Sequence, residues 1–277
     1  MGLIFKDDGW RIPDTLWAKM EPLLPVHVPP PHPLGCHRRR VSNRAAMDAI
    51  LFVLRTGCQW NALDGTGICS SSSAYRRFRA WLEAGVFERF WQEGLLEYDR
   101  LADIDWQWLL VDGAMTKAPL GGEKTGPNPT DRGKAGTKRS VLTEGNGLPL
   151  SLVTAGANRH DMKLLEPTLQ GIEVPRPAPT AEDPQGLCLD KGYDYDEIRD
   201  LAAEFGFTAH VRSRGEEAQA IRNDVRFKAR RWVVERAHSW LNRFRRLLVR
   251  WEKRADTYLA MLHLALGIIA WRKCLLG

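Results

Sequence analysis

The chain has 277 residues, 44% of them hydrophobic and 27% charged, with a net charge of +6. This composition suits a soluble globular protein of one large domain, or of a core with a small accessory domain, and excludes chain-wide disorder. Cys36, Cys58, Cys69, Cys188 and Cys274 make no CxxC or CxxH spacing, so reduced packing thiols are expected in place of a structural zinc site. The start, MGLIFKDDGW, carries acids where a signal peptide needs positive charge. The most apolar run, Leu259 to Trp271, is interrupted by His263 and is shorter than the ~20 residues of a membrane span. A cytoplasmic protein with a buried C-terminal helix and no membrane partner is expected.

In chain order, Pro13 to Leu24 predicts a short helix, and PVHVPPPHP at 25–33 a stiff, non-helical connector. After the basic cluster that includes Arg38, Arg39 and Arg40, Ser42 is a candidate N-cap for a helix through Thr56, stopped by Gly57. The serines at 70–73 can cap a helix from Ala74 to Ala84 that displays Arg76, Arg77 and Arg79, and Val86 to Tyr98 predicts another. Residues 1–100 therefore form an expected all-α domain, helix-turn-helix-like and compatible with DNA reading. Any small helical bundle would show similar loops and surface arginines.

The texture changes at residue 106. Trp108 to Val111 is a short apolar strand ending in Asp112. Arg139–Thr143 and Leu148–Ala155 flank the turn EGNG, a hairpin signal. A helix over Met162–Gln170, a Pro-rich loop and a strand Leu187–Leu189 ending in Asp190 follow. Then come a helix over Asp194–Phe205, a strand over Thr208–Val211 and one long helix from about Lys228 to Trp251. Residues 101–277 thus read as an α/β domain, a mixed sheet flanked by helices.

Positive charge is concentrated in one stretch. Between Arg222 and Arg254, twelve Lys and Arg face three acids, a local +9, while the rest of the chain sums to −3. Such a block marks either a solvated helix face or a polyanion-binding surface. Two aspartates, Asp112 and Asp190, each follow an apolar strand, a place where α/β folds bind ligands. If their strands are neighbours, the two carboxylates repel unless a proton or a cation lies between them, and Mg²⁺ suits such oxygen donors. Each could equally open a turn. Glu235 sits opposite the apolar face formed by Val233, Ala237, Trp240, Leu241, Phe244, Leu248 and Trp251, among Arg231, His238, Asn242 and Arg246. This pattern fits surface ion pairs as well as a carboxylate completing a metal site among phosphate-tracking arginines.

Longer motifs carry more. VDGAMTKAPLGGEKTGPNPTDRGKAGTKRSVL, GANRHDMKLLEP, LDKGYDYDEIR and RWVVERAHSWLNRFRRLLVRWEKR closely resemble the insertion-sequence-five family of DDE transposases. WAKMEPLLP, AILFVLRTGCQWNAL and YRRFRAWLEAGVFERFW resemble the same family's N-terminal helical domain, so the likeness covers nearly the whole chain. It implies a ribonuclease-H-like core whose catalytic, metal-holding acids fall on Asp112, Asp190 and Glu235. Arg231 stands at the family's Arg-x3-Glu spacing. Where relatives often carry a Tyr and a Lys on that helix, this chain has Lys228 and Asn242, with Arg243 adjacent. Only 44 residues separate Asp190 from Glu235, leaving no room for a large β-insertion.

The resemblance further implies two Mg²⁺ (or Mn²⁺) ions per site, about 3.5–4 Å apart, serving strand cleavage and then joining by the transposon 3′-hydroxyl. The implied partners are double-stranded DNA, as terminal inverted repeats and target DNA, and a second copy of the chain, as a homodimer or a larger assembly. The setting is the bacterial cytoplasm at the nucleoid. Arg231, His238, Arg243 and Arg246, with Arg39, Arg40, Arg76, Arg77 and Arg79, are expected DNA contacts. Lys138, Arg139, His160 and Asp161 are candidates either for active-site or DNA contacts or for structuring their loops. The Gly-rich stretch at 121–138 lacks the P-loop pattern, so no nucleotide cofactor is expected. A nuclease that cuts without joining, a non-catalytic DNA-binding protein of transposon origin and a zinc-dependent regulator are the rival readings.

Overall fold

The computed structural model describes residues 9–28, 40–211 and 232–276. Helix α1 (Asp14–Met20) buries Leu16, Trp17 and Met20. Helix α2 (Asn43–Thr56) starts where the Ser42 hydroxyl accepts the Ala45 amide at 3.1 Å, and it ends at Gly57 with φ 73°. Helix α3 (Ser71–Glu83) is not capped by the Ser70 side chain. The Asp64 carboxylate instead accepts the Ser71 amide at 2.7 Å and its hydroxyl at 2.9 Å. Helix α4 (Val86–Ala102) follows α3 through Ala84 and Gly85 alone, whereas residues 57–70 between α2 and α3 include a 3₁₀ turn at Trp60–Gly65.

The sheet comprises β1 (Trp108–Lys117), β2 (Gly126–Pro127), β3 (Ala135–Thr143), β4 (Pro149–Gly156), β5 (Gly186–Leu189) and β6 (Thr208–Val211). Its main order is β4-β3-β1-β5-β6, with β2 beside the start of β3. The β4-β3-β1 side is antiparallel, while β1-β5 and β5-β6 are parallel. Helix α5 (Met162–Gln170) connects β4 to β5, and α6 (Asp196–Glu204) connects β5 to β6. Three antiparallel strands extended by two parallel ones, with helices packed on the sheet, make the ribonuclease-H-like arrangement. The expected turn at 144–147 closes the β3-β4 hairpin, with buried Glu144 accepting the Leu148 amide at 2.8 Å.

Two expectations need correction. The strand of Trp108–Val111 runs on to Lys117, so Asp112 lies within β1 and not at its end. It still reaches the rim because the neighbouring β5 stops at Leu189. The single helix over 228–251 is divided: residues 228–231 lie outside the described residues, and α7 covers Trp232–Asn242. Phe244 is extended, a single turn α8 (Arg245–Leu248) follows, and Val249 bridges Lys117 as strand. The break lets two arginines turn inward. Arg246 pairs with Glu252 at 2.7 Å, and Arg250 donates to the Glu123 carbonyl at 2.6 Å. Leu248 and Trp251, expected on the apolar face, are left 46% and 42% exposed.

Helix α9 (Ala255–Leu276) spans 22 residues, longer than expected. By length and composition it could cross a membrane, but 72% of its apolar window is buried inside the fold. It packs against α4, where Gly94 and Gly267 let the helices approach. Buried side chains from Ile12 to Trp271 form one contiguous cluster, so the expected parts 1–100 and 101–277 share a core. Cys58, Cys69 and Cys274 are free thiols.

Candidate active site

The β1-β5 register aligns Leu110 with Cys188. Leu110 packs with Val233 and Val234 of α7, and Cys188 packs against the same cluster, so this face of the two strands lies under α7. Side chains alternate along a strand, so two residues further on the same face recurs. On β1 that residue is Asp112. On the other strand it is Asp190, whose backbone is still extended (φ −78°, ψ 170°). The two carboxylates therefore emerge at one level, on the face covered by α7.

Helix α7 carries the third candidate acid, Glu235. His238 Nε2 stands 3.9 Å from Asp112 Oδ2. Glu235, one turn earlier on the same side of the helix, is exposed. The Asp112 side chain is 28% exposed, and Asp190 is half-buried, its Oδ1 accepting the Gly192 amide at 2.9 Å. Burial, then the nearby Arg139 guanidinium, push the His238 pKa down to about 4 against an opposing bond to the Asp112 backbone. His238 is therefore neutral at neutral pH.

On the opposite face, the Asp161 carboxylate lies against Gly113, where any Cβ would collide with Oδ1. Lys138 Nζ donates to Asp161 Oδ2 and to the Arg159 carbonyl, both at 2.8 Å. Tyr193, of the DKGY turn, is buried, and its hydroxyl has no hydrogen-bond partner among the described residues. Burial raises its pKa strongly, and Asp161, Asp112 and Asp190 add to the rise.

Among the described residues, no group of three or more His, Cys, Asp or Glu is gathered closely enough to hold a metal ion. The donor set, the carboxylates Asp112, Asp190 and Glu235, is still of the type that suits a hard divalent cation. Nothing in it suits zinc's preference for thiolate and imidazole.

A family model described as "Transposase DDE domain" matches residues 103–269. The chain belongs to the DDE transposase family. It is a polynucleotidyl transferase that cleaves DNA and transfers strands in transposition, and its family works with divalent metal. A second model, "Putative transposase of IS4/5 family", matches residues 12–91 of this transposase. "Putative transposase for insertion sequence element IS402" of Burkholderia cepacia is 37% identical over 153 residues, covering 54% of this chain and 70% of that protein. "Insertion element IS402 uncharacterized 16.2 kDa protein" of the same organism is 43% identical over 123 residues, 43% of this chain and 80% of that protein. A solved pre-cleavage Mos1 transpososome covers 90% of this chain and 81% of its own at 11% identity, with a TM-score of 0.29, too loose to bear on the fold.

The expected contact residues of this DDE transposase divide by burial. Arg40, Arg76, Arg243 and His160 are exposed. Arg231 and Arg39 lie outside the described residues. Arg77 is buried and donates to the Val41 carbonyl at 3.1 Å, so it is not displayed by α3 as expected. Arg79 pairs with Glu83 at 3.0 Å and with Asp256 at 3.6 Å. Arg246 and His238 are buried within the fold and not arrayed on a solvent face. Arg139 is 1% exposed and donates to Asn242 Oδ1 at 3.0 Å. Lys138 is committed to Asp161. Sequence reasoning missed Tyr193, although DKGY was in hand; its only signal was an aromatic ring placed three residues after a candidate acid.

Proposed function

We propose that Asp112, Asp190 and Glu235 are the acids with which this transposase cuts and joins DNA, holding Mg²⁺ or Mn²⁺, two ions per site. The observation that supports this reading is the β1-β5 register, Leu110 beside Cys188, from which Asp112 and Asp190 each stand two residues on, with His238 of α7 at 3.9 Å from Asp112. When bound, the metal supplies positive charge where negative charge develops during phosphoryl transfer.

The chain's own groups do the rest. Rigid strands fix two carboxylates, and the helix brings the third from above. Neutral His238 adds no competing cation. Exposed Arg40, Arg76, Arg243 and His160 suit contacts to the phosphate backbone, which position DNA without reading its sequence. Arg231 would join them by the family spacing. The helical region before β1 would recognise terminal inverted repeats, and pairing two ends would take a homodimer or a larger assembly at the nucleoid.

The test is joining. A duplex transposon end with a free 3′-hydroxyl, incubated with plasmid target and Mg²⁺, should yield covalently joined product. Hydrolysis without joined product would make the protein a nuclease and overturn this reading.

A further inference from the structure

Behind the three acids lies a second cluster that the reaction does not obviously need. Lys138 and Arg139 are neighbours on β3 and so point to opposite faces of the sheet. Arg139 lies on the face of Asp112 and α7. Lys138 lies on the other face, its side chain 8% exposed, bonded to Asp161. Asp161 is 34% exposed, so Lys138 is the member of the pair held away from water, where an ammonium is costly to place unless it is paired. Asp161 Oδ1 is also buried and has no hydrogen-bond partner among the described residues, as is true of the Tyr193 hydroxyl. Buried polar atoms without partners call for an explanation.

Their placement suggests one. Asp161 rests directly on Gly113, the residue after Asp112. Tyr193 closes the turn that begins at Asp190, its amide donating to the Asp190 carbonyl at 3.0 Å. The charges acting on its hydroxyl are Asp161, Asp112 and Asp190. One cluster thus touches the backbone beside the first acid and the turn beside the second.

We propose that Lys138, Asp161 and Tyr193 form a buried clamp that positions Asp112 and Asp190 relative to one another from behind the sheet. Lys138 and the strand anchor Asp161 against Gly113, while buried Tyr193 holds the DKGY turn closed through its amide bond to the Asp190 carbonyl. The clamp rests on the assignment of Asp112 and Asp190 as catalytic acids. Its members are positioning residues, since none reaches the α7 face where the reaction is placed. Groups behind metal ligands typically change metal affinity or activity about 10–100-fold when removed.

The experiment follows cleavage of a transposon-end duplex by the full chain across a Mg²⁺ series, with thermal melting of each variant. Asp161→Asn strands the buried Lys138 ammonium, Lys138→Met leaves Asp161 without its ion pair, and each should lower the melting temperature. The double variant K138M/D161N leaves neither charge alone, so melting should recover. Its cleavage should still need roughly tenfold more Mg²⁺ than wild type or run roughly tenfold slower. Tyr193→Phe removes one oxygen and should shift the Mg²⁺ dependence the same way while keeping DNA affinity.

A double variant that recovers both melting and wild-type Mg²⁺ dependence would overturn the clamp and make the pair purely structural. If the double variant does not fold, Tyr193→Phe decides: an unchanged Mg²⁺ curve overturns the proposal. Asp112→Ala in the same assay separates the two layers. Cutting that survives Asp112→Ala sinks the triad, whereas an inactive Asp112→Ala beside a wild-type Tyr193→Phe sinks the clamp alone.

Discussion

His238 of α7 and Asp112 of β1 face each other at 3.9 Å between Nε2 and Oδ2. The imidazole is 6% exposed and uncharged near neutral pH, so the contact is not an ion pair. It is a packing contact between the helix and the strand. The same helix buries Val233 and Val234 on Leu110, one pleat before Asp112, and carries the exposed Glu235.

Gly113→Ala tests how tightly the sheet is closed behind Asp112. A Cβ there meets the Asp161 carboxylate, and overpacking of this kind costs about 1–3 kcal/mol. Cleavage should fall at least about tenfold, with end-DNA affinity preserved. A wild-type rate in single-turnover cleavage would mean that Asp161 can leave without consequence.

Gly267→Ala probes the shared core and not the site. The added methyl would strike the Phe90 ring where α9 crosses α4. We expect a loss of about 1–3 kcal/mol in urea unfolding. Cleavage per folded molecule at low temperature should be unchanged. Uncoupled melting of the parts before and after residue 100 would contradict a single core.

His263 predicts a pH dependence. Burial pushes its pKa down to about 4, and its ring lies 5.4 Å from that of Trp91. The unfolded chain binds this proton near pH 6.5 and the folded chain only near 4, so folding stability is complete above 6.5 and falls as pH drops between these values. His263→Leu should flatten the fall of melting temperature between pH 7 and pH 4.5. An identical slope in the variant would contradict the assignment.

Arg76 and Arg77 are adjacent on α3 but should behave oppositely. Exposed Arg76→Ala should weaken DNA binding and reduce its salt slope by about one counterion. Buried Arg77→Ala should lower the melting temperature, because it removes the bond to the Val41 carbonyl. Salt-titrated binding and thermal melting on both variants check this pair.

How much of this was legible depended on whether the cause was local. Ser42 and Gly57 bound α2 as their chemistry dictates, and EGNG makes its hairpin. Asp112 and Asp190 were visible as acids following apolar runs, but their shared level depends on β1 and β5 pairing across distant sequence. Asp64 capping α3 was invisible, because it acts across a loop in place of the adjacent serine. Lys138 and Arg139 read as active-site or DNA contacts or as loop-structuring groups; β3 is covered on both faces, and each finds its partner on a distant element, Asp161 or Asn242. The break after α7 was hidden for the same reason, since Arg246 and Arg250 are turned inward by partners elsewhere in the chain.

The most direct measurement is Mg²⁺- or Mn²⁺-dependent cleavage of a labelled transposon-end duplex by wild type, Asp112→Ala, Asp190→Ala and Glu235→Ala, with binding of the same duplex measured in parallel. The account predicts metal-dependent nicking at the end by wild type, abolished by each substitution while binding persists. Cutting that survives all three substitutions would place the active site elsewhere.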